Sequence, residues 1–225
     1  MSEIVYVNRV SHGTRQRLRK VSTDEVLTEA MNLLIAIFAL MFLAPVMIAV
    51  AIAVFAQDGG PILFAHRRIG QNGRHFYCLK FRTMAVDAER RLADLLASDP
   101  DARAEWERDH KLRNDPRVTP LGAFLRRSSL DELPQLFNVL RSEMSLVGPR
   151  PIVDAEIAKY GRRFDHYCAV RPGITGLWQV SGRNDTSYRT RVALDCVYAR
   201  ERSIVLDSYI ILATVPAVLS RRGSY

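Results

Sequence analysis

The acids Asp131 and Glu132 are adjacent in the sequence, and Arg126, Arg127 and Pro134 lie within a few residues of them. A helix N-terminus beside arginines favours an anion, because backbone N–H groups and guanidinium groups both donate hydrogen bonds to its oxygens. A carboxylate that stays ionised in this setting can act as a nucleophile on phosphorus or as an oxygen ligand for Mg²⁺. The segment therefore predicts a site that holds a phosphate and a divalent cation together.

The same two acids also fit a purely structural role. Ser129 followed by Glu132 matches a capping box, which would place both acids in the first turn of a helix. Pro134 would then lie in the second turn, where it removes a hydrogen bond and tends to kink the helix. If the helix begins at Pro134 instead, the acids lie in the turn that leads into it. Both alternatives place the acids at the positive end of a helix.

Further basic residues lie beside glycine or proline, or near the expected end of a strand. Such positions restrict the side chain and can present a guanidinium group to a diphosphate. Each of these arginines taken alone is also typical of an exposed turn. With those of the acidic segment, the predicted phosphate-binding residues are Lys80, Arg82, Arg117, Arg126, Arg127, Arg150 and Arg171.

The charge of the chain favours anionic partners. The 225 residues carry a net charge of +8, which is compatible with nucleic acid, a lipid surface or phosphorylated small molecules. No nucleic-acid-binding motif or dense basic and aromatic patch is evident, so we expect no nucleic-acid partner. The three cysteines, Cys78, Cys168 and Cys196, are isolated and odd in number. They predict neither a disulfide framework nor a zinc site.

The segment 31–56 is almost entirely apolar and contains no charged residue. About 20 apolar residues suffice to cross a bilayer as a helix, so the segment predicts a membrane element. It is too long, and begins too late in the chain, for a cleavable signal peptide. Basic residues flank it on both sides, at positions Arg9, Arg15, Arg17, Arg19, Lys20, Arg67, Arg68, Arg74, Lys80 and Arg82.

Positive charge marks the cytoplasmic side of a membrane protein, and here it marks both flanks. Pro45, near the centre of the segment, removes a backbone hydrogen bond. We therefore predict a re-entrant helix that breaks at Ala44 and Pro45 and returns to the cytoplasmic face. The alternative is a single span with a slight kink.

The rest of the chain predicts an α+β fold, with one compact, mainly helical cytosolic domain that contains a small β-hairpin. Asn72 and Gly73 favour a hairpin turn, and the apolar run 204–219 predicts an interfacial or buried amphipathic helix. The expected strands are 62–69 and 75–81, the expected helices begin near 85, 100, 120, 133, 152 and 187, and 172–182 is expected to be extended. The expected organisation is a basic arm at 1–24, the membrane element at 25–57 and the cytosolic domain at 58–225.

Four blocks in this order, 80–84, 129–138, 145–151 and 171–182, resemble the bacterial sugar transferases, the polyprenyl-phosphate phosphoglycosyl transferases of the monotopic type. The resemblance runs from about Glu25 to the C-terminus. The compact length is most similar to the rhizobial exopolysaccharide production proteins of the succinoglycan type, so we expect the minimal catalytic form. Gln179 and Arg183, within and directly after the last block, complete the predicted substrate-binding residues.

The resemblance implies a reaction, a cofactor and a location. It implies transfer of a hexose 1-phosphate, galactose or glucose, from a UDP-sugar to undecaprenyl phosphate, with release of UMP. Asp131 matches the family's nucleophile, Glu132 its partner carboxylate with Mg²⁺ held at the pair, and Pro45 the break of the re-entrant helix. Many relatives have serine where this chain has Ala44. The implied location is the bacterial inner membrane, with the catalytic domain in the cytoplasm, and a homo-oligomer is compatible with it.

Two other functions compete with this interpretation. A membrane-anchored, non-catalytic scaffold of a polysaccharide assembly complex would explain the apolar segment and leave Asp131 and Glu132 as a helix cap. A phosphatase with the same Mg²⁺ chemistry would release free sugar phosphate without a lipid acceptor. Both differ from a transferase in their products.

Overall fold

The computed structural model describes residues 23–109, 112–182 and 186–219. Most of the predicted basic arm and Arg183 lie outside the described residues. The helices are α1 Thr23–Asp58, α2 Ala88–Ser98, α3 Pro100–Asp109, α4 Pro120–Ser128, α5 Gln135–Leu140, α6 Ile157–Tyr160, α7 Phe164–Cys168, α8 Leu177–Val180, α9 Tyr188–Glu201 and α10 Ile204–Leu219. The strands are β1 Leu63–Ile69, β2 His75–Phe81, β3 Ser145–Val147 and β4 Gly173–Thr175.

The described chain is mostly helical with two small sheets, which agrees with the predicted α+β class. The predicted hairpin is confirmed: β1 and β2 pair antiparallel, from Leu63 opposite Phe81 to Ile69 opposite His75. A short 3₁₀ turn, Gln71–Gly73, joins the strands. Asn72 has φ 58° and Gly73 has φ 71°, in the left-handed region that asparagine and glycine tolerate best.

The second sheet was not predicted. Strands β3 and β4 pair in parallel. The segment 172–182 was expected to be extended throughout, but only β4 is a strand, and Leu177–Val180 forms α8. Each strand has three residues, which is too short to show periodicity in the sequence. The pairing requires glycine, because a Cβ at Gly173 would lie 2.1 Å from the backbone nitrogen of Gly148.

Several predicted helix starts are confirmed by their caps. Asp99 accepts hydrogen bonds from the N–H groups of Asp101 and Ala102 at the start of α3. Thr119 accepts from Gly122 at the start of α4, and Ser187 accepts from Thr190 at the start of α9. These residues satisfy N–H groups that have no partner within the helix.

Helix α1 contains 36 residues and continues through Pro45. It is the one helix in the described ranges that is long and apolar enough to cross a membrane. The predicted break at Ala44 and Pro45 is therefore absent, and one helix covers the whole segment. The re-entrant topology in the membrane stays a prediction.

Both halves of α1 pack against the remainder of the domain. Ala36, in the first half, is fully buried in a core cluster with Leu136 and Met144. Val54, in the second half, is buried in another cluster with Leu125. The middle of the helix is exposed and apolar, with exposed fractions of 71% for Met41 and 84% for Phe42.

Helix α10 has one buried and one exposed face. Ile210 and Asp207 are buried, and Thr214 hydrogen bonds with Thr175 of β4. The exposed apolar residues of α10 recur at helical spacing and are Val205, Tyr209, Leu212 and Val215. The predicted helix is therefore present, and the described domain leaves its exposed apolar face uncovered.

Candidate active site

Asp131 and Glu132 lie in a 3₁₀ turn, Leu130–Glu132, between α4 and α5. Ser129 ends α4 in the left-handed conformation, with φ 57°, and its side chain caps no helix. Pro134 directly precedes α5. The capping-box alternative is therefore wrong, and the acids lie in the turn that leads into the helix. Because α5 has only six residues, its dipole adds little, and side chains must supply the positive charge.

Lys80, near the end of β2, supplies part of that charge. Its ammonium nitrogen lies 2.6 Å from Oε1 of Glu132 and 3.6 Å from Oδ2 of Asp131. The structure thus brings a predicted phosphate-binding residue and both predicted catalytic acids together. A lysine held between two carboxylates is ready to contact a diphosphate that approaches the same acids.

Asn138 fixes β2 against the acidic turn, and its role was not predicted. The side chain is fully buried, and its Oδ1 accepts a hydrogen bond from the N–H of Leu79 at 3.0 Å. Its Nδ2 donates to the carbonyl of Tyr77 at 2.8 Å and to Glu143 at 2.6 Å. Lys80 follows directly, so Asn138 sets its position. Only the fold shows that Asn138 lies on the buried side of α5 with Leu136 and Val139.

The two acids differ in their electrostatic setting. Burial raises the pKa of Asp131, which is 7% exposed, while the charge of Lys80 opposes the shift. Burial would also raise the pKa of Glu132, but Lys80 and Arg150 outweigh it and hold that pKa below its ordinary value. Glu132 is therefore ionised at neutral pH, and Asp131 is a desolvated carboxylate beside a cation.

A small cleft adjoins the acidic turn and contains several of the predicted residues. Its lining includes Lys80, Glu132, Arg150 and Gln179, all predicted, together with Arg68 and Gln135, which were not. The side-chain amide of Gln179 donates to the carbonyl of Ile174 at 3.0 Å, while its Oε1 is buried without a partner among the described residues. The cleft therefore combines cations with a fixed acceptor.

Arg82 is placed elsewhere, which corrects its predicted role. Its guanidinium group forms an ion pair with Asp58 at the end of α1. It also donates to the carbonyl oxygens of Pro61 at 2.7 Å and Val54 at 3.2 Å. The side chain is 8% exposed, and each guanidinium nitrogen has an acceptor. Arg82 therefore fastens the hairpin to α1, and each of its nitrogens has an acceptor within the protein.

Two other predicted arginines are also engaged away from the cleft. Arg171 forms an ion pair with Glu29 near the start of α1. Arg117 donates to both carboxylate oxygens of Asp115, at 2.8 and 2.7 Å, and lies over the ring of Trp106. Each of them thus has a carboxylate partner outside the cleft, and a role in phosphate binding stays a prediction.

Arg126 and Arg127 lie at the exposed end of α4, beside the acidic turn. Arg126 donates to Thr83 at 3.0 Å, and its charge contributes to lowering the pKa of Asp131 against the effect of burial. Arg127 is exposed, and its charge is not among the main influences on Asp131. Of these two arginines, Arg126 is the one among the main influences on the pKa of Asp131.

The donor set fits a cation that arrives with a substrate. The described residues contain no cluster of three or more histidine, cysteine or acidic side chains that could hold a metal. Asp131 and Glu132 offer two adjacent carboxylates, and Mg²⁺ commonly binds one or two carboxylates together with phosphate oxygens and waters. The pair suits Mg²⁺ bound to a diphosphate.

Comparison with known proteins finds one matching family and several similar proteins. Residues 23–221 match a family described as bacterial sugar transferase. The chain is 51% identical to an uncharacterized sugar transferase of Haemophilus influenzae, over 92% of this chain and 44% of that protein. It is 52% identical to the exopolysaccharide production protein ExoY of Sinorhizobium fredii, over 86% of each chain. It is 49% identical to an undecaprenyl-phosphate galactose phosphotransferase of Salmonella typhimurium, over 90% of this chain and 42% of that protein.

Proposed function

Since this chain belongs to the bacterial sugar transferase family, we propose that it transfers a sugar 1-phosphate from a UDP-sugar to undecaprenyl phosphate and releases UMP. The contact of Lys80 with Asp131 and Glu132 is the observation that carries the proposal. Relatives are named for galactose and for glucose transfer, so a hexose is the proposed sugar. The chain spans less than half of some relatives and most of ExoY.

The proposed chemistry has two displacements at one phosphorus. A carboxylate oxygen of Asp131 attacks the sugar-bearing phosphorus of the donor, and the bond from that phosphorus to the bridging oxygen breaks. UMP leaves with the bridging oxygen, and the sugar phosphate stays on Asp131 as an acyl phosphate. An oxygen of undecaprenyl phosphate then attacks the same phosphorus and frees the carboxylate. The product is an undecaprenyl diphosphate sugar, and a covalent intermediate lets a soluble and a lipid substrate use one site in turn.

The surrounding residues prepare Asp131 for this role. Its burial removes water that would stabilise the carboxylate, while Lys80 and Arg126 favour the ionised form. Glu132, held ionised by Lys80 and Arg150, can share Mg²⁺ with Asp131. When bound, Mg²⁺ supplies charge neutralisation for the diphosphate. Lys80 can contact the phosphoryl oxygens as their charge increases during UMP departure.

Contacts at both ends of α1 support a re-entrant placement in the membrane. Near its start, Glu29 pairs with Arg171, and Asn32 accepts from the N–H of Leu146 at 3.2 Å. At its end, Asp58 pairs with Arg82. A domain on one side of a bilayer cannot contact both ends of a helix that crosses about 30 Å of hydrocarbon. We therefore propose that both ends of α1 face the cytoplasm and that its exposed middle enters the inner membrane.

The exposed face of α10 suits the same membrane surface. Tyr209 and Leu212 are 60% and 72% exposed, and the helix also carries exposed Val205 and Val215. An apolar helix face of this kind lies in the interface between headgroups and acyl chains. This placement brings the cleft to the surface where the phosphate of the lipid acceptor is located.

The covalent route predicts an adduct in the absence of lipid. Full-length protein incubated with UDP-galactose or UDP-glucose and Mg²⁺ is expected to release at most about one UMP per enzyme, as in a burst of covalent catalysis. Intact mass analysis is expected to show a hexose-phosphate adduct that undecaprenyl phosphate removes. The adduct is expected to be absent in Asp131→Asn.

The matched control is Asp154→Asn. Asp154 is an exposed carboxylate that pairs with His75, and the variant is expected to form the adduct normally. A preparation that turns over with lipid but forms no adduct would leave Asp131 as a metal ligand only. Free hexose phosphate as the product would identify a phosphatase, and near-normal transfer by Asp131→Asn would exclude the nucleophile assignment.

A further inference from the structure

Residues of the segment 159–163 and of the first turns of α9 line a second cleft, with a volume of about 500 Å³. Tyr160 and Val192, which are each 3% exposed, lie at its floor. Its rim carries four exposed cations, which are Lys159, Arg162, Arg163 and Arg189. We call it the basic cleft and propose that it binds a soluble ligand that carries two or three linked phosphate groups.

The positive charges on the rim of the basic cleft have no ion-pair partner within the protein. No described carboxylate lies within 4.0 Å of any of the four cations. On α2, by contrast, Arg90 and Arg91 each lie 2.7 Å from a carboxylate oxygen of Asp87. A cleft lined by charges of one sign concentrates the electric field and attracts ions of the opposite sign. The basic cleft therefore favours an anionic ligand.

Two hydrogen bonds hold the walls of the basic cleft together. The hydroxyl of Tyr160, the last residue of α6, donates to Asp195 of α9 at 2.6 Å. The hydroxyl of Tyr188, the first residue of α9, donates to Glu156 at 3.2 Å. Each of these two acids thus has a tyrosine partner, and Asp195 is only 2% exposed. The walls are fixed before a ligand arrives, which lowers the free-energy cost of binding.

The number and type of the cations indicate the chemistry of the ligand. A phosphate group carries a charge of about −1.5 to −2 at neutral pH, so two or three linked groups would balance four cations. Three of the four cations are arginines, whose paired N–H donors match the oxygens of a phosphate. A volume of about 500 Å³ lies within the range of small-molecule sites. A small polyphosphate therefore fits the basic cleft in charge, donors and size.

The surface around the basic cleft favours a soluble ligand over a lipid. The faces of α1 and α10 that we place at the membrane carry exposed apolar side chains, such as Phe42 and Leu212. The described residues between positions 141 and 196 include no exposed large apolar side chain. The basic cleft lies within this part of the chain, so its rim offers no apolar contact to an acyl chain.

The basic cleft is separate from the cleft beside the acidic turn. No described residue lines both of them. Glu156 contacts a residue of each, because it accepts from Tyr188 of the basic cleft and lies 3.9 Å from Arg68 of the other. The proposed sugar donor has to reach Asp131, so a ligand in the basic cleft is an additional one. This inference therefore does not depend on the proposed reaction.

Calorimetric titration of the full-length protein with inorganic triphosphate, in the absence of Mg²⁺, tests the site. Arg162→Ala combined with Arg163→Ala is expected to weaken binding about 10- to 100-fold, the usual effect of losing hydrogen bonds to a charged group. Arg189→Ala, on the opposite wall, is expected to weaken it as well. Inorganic phosphate is expected to bind the wild type at least about tenfold more weakly than triphosphate, because it balances fewer charges. Triphosphate that enters the other cleft contributes equally to all of these variants.

The matched control is Arg90→Ala combined with Arg91→Ala, which removes the same two charges from adjacent exposed residues of α2. Because both arginines already pair with Asp87, the triphosphate affinity is expected to stay within about twofold of the wild type. Thermal unfolding checks that each variant folds, and Arg189→Ala carries the test if the double variant of the cleft does not fold.

Several results would overturn the proposal. Unchanged affinity in the variants of the basic cleft would exclude the site, and an equal loss in the α2 control would mean that only the overall charge matters. A hexaglutamate peptide that binds as tightly as triphosphate would indicate an acidic protein segment, and binding that requires anionic lipid vesicles would indicate a membrane contact.

A rate measurement separates the basic cleft from the donor site. Sugar transfer without triphosphate is expected to stay within about twofold of the wild type in Arg162→Ala combined with Arg163→Ala. A large loss of transfer would instead place the basic cleft in the donor site. If the wild type transfers no sugar, the proposed function fails, and the triphosphate titration still decides whether the basic cleft binds phosphate.

Discussion

The basic residues of the cleft and those at the ends of α1 resemble each other in sequence but differ in their partners. Arg82 meets Asp58 from 24 positions away, and Arg171 meets Glu29 from 142 positions away. Arg68 lies 3.9 Å from a carboxylate oxygen of Glu156, and no described carboxylate lies within 4.0 Å of Arg150. Basic residues in similar local sequence thus differ in the partners that the fold brings to them.

The two regions also differ in what the loss of a cation leaves behind. Without Arg82, the carboxylate of Asp58 and the carbonyl oxygens of Val54 and Pro61 lose their donors at the junction of α1 with the hairpin. Without Lys80, Asp131 and Glu132 repel each other at a turn that faces a cleft. The first change affects the fold, and the second affects the chemistry.

The largest expected effect comes from substituting the two cations separately. Lys80→Met is expected to lower kcat by about 10²- to 10³-fold, the usual result of removing one group that stabilises charge in the transition state. Arg82→Met is expected to lower the free energy of unfolding by about 1 to 3 kcal/mol, because the carbonyl oxygens of Val54 and Pro61 lose their donor. Initial rates per folded molecule and thermal unfolding, measured on both variants, test the contrast.

Lys80→Arg provides the control, because it keeps the charge beside the acids. It is expected to retain more activity and more stability than Lys80→Met, because a cation still separates the two carboxylates. The comparison breaks if Lys80→Met loses stability as Arg82→Met does, or if folded Arg82→Met loses activity as Lys80→Met does.

The hairpin and several helix starts could be predicted because their signals are local. Asn72 and Gly73 suit the turn they form, and Asp99 and Thr119 cap the helices that follow them. The capping box at Ser129 also looked local, but that residue is in the left-handed conformation at the end of α4. Ser129 ends the preceding helix α4 and therefore cannot cap a helix that follows it. The capping-box motif includes no residue of α4, so the motif alone could not show this.

The candidate site could be predicted in part. Asp131, Glu132 and Lys80 were identified from residue type and neighbourhood, and the structure brings them together. Arg68, which lines the cleft, was missed because only the register of β1 distinguishes it from its neighbour Arg67. Arg82 was assigned to phosphate because its partner in α1 is distant in sequence. Tertiary pairing supplied what local chemistry could not.

The second prediction tests whether the contacts at the two ends of α1 lie on one side of the membrane. Val26→Cys and Gln57→Cys place thiols at exposed positions near each end of the helix. Cys168 is half-buried and could react with the reagent, so it is replaced by serine. Cys78 and Cys196 are buried and are kept. Both new thiols are expected to react with an impermeant reagent in inverted vesicles and not in intact cells. Reaction of one thiol from each side would show that α1 spans the bilayer.

The smallest expected effect concerns the pH dependence of turnover, and it compares two neighbouring arginines of the cleft region. Arg126 favours the ionised form of Asp131, and burial favours the protonated form. Arg126→Gln removes the positive charge, so the pKa of Asp131 is expected to rise further. A nucleophile with a higher pKa is protonated at higher pH, so the acidic limb of kcat/KM is expected to move to higher pH.

The control for this shift is Arg127→Gln, which removes the same charge from the next exposed residue. Its charge is not among the main influences on Asp131, so its acidic limb is expected to match the wild type. At alkaline pH Asp131 is ionised in every variant, and Arg126→Gln is expected to approach the wild-type rate there. A rate that stays low across the whole pH range would mean that Arg126 contacts the substrate, whereas equal shifts in both variants would mean that Asp131 senses only the overall charge of α4. A shift confined to Arg126→Gln would support Asp131 as the group whose ionisation limits the reaction. Arg126 hydrogen bonds to Thr83 and acts on Asp131 through its charge, so the substitution changes the pKa of Asp131 without removing a hydrogen bond from it.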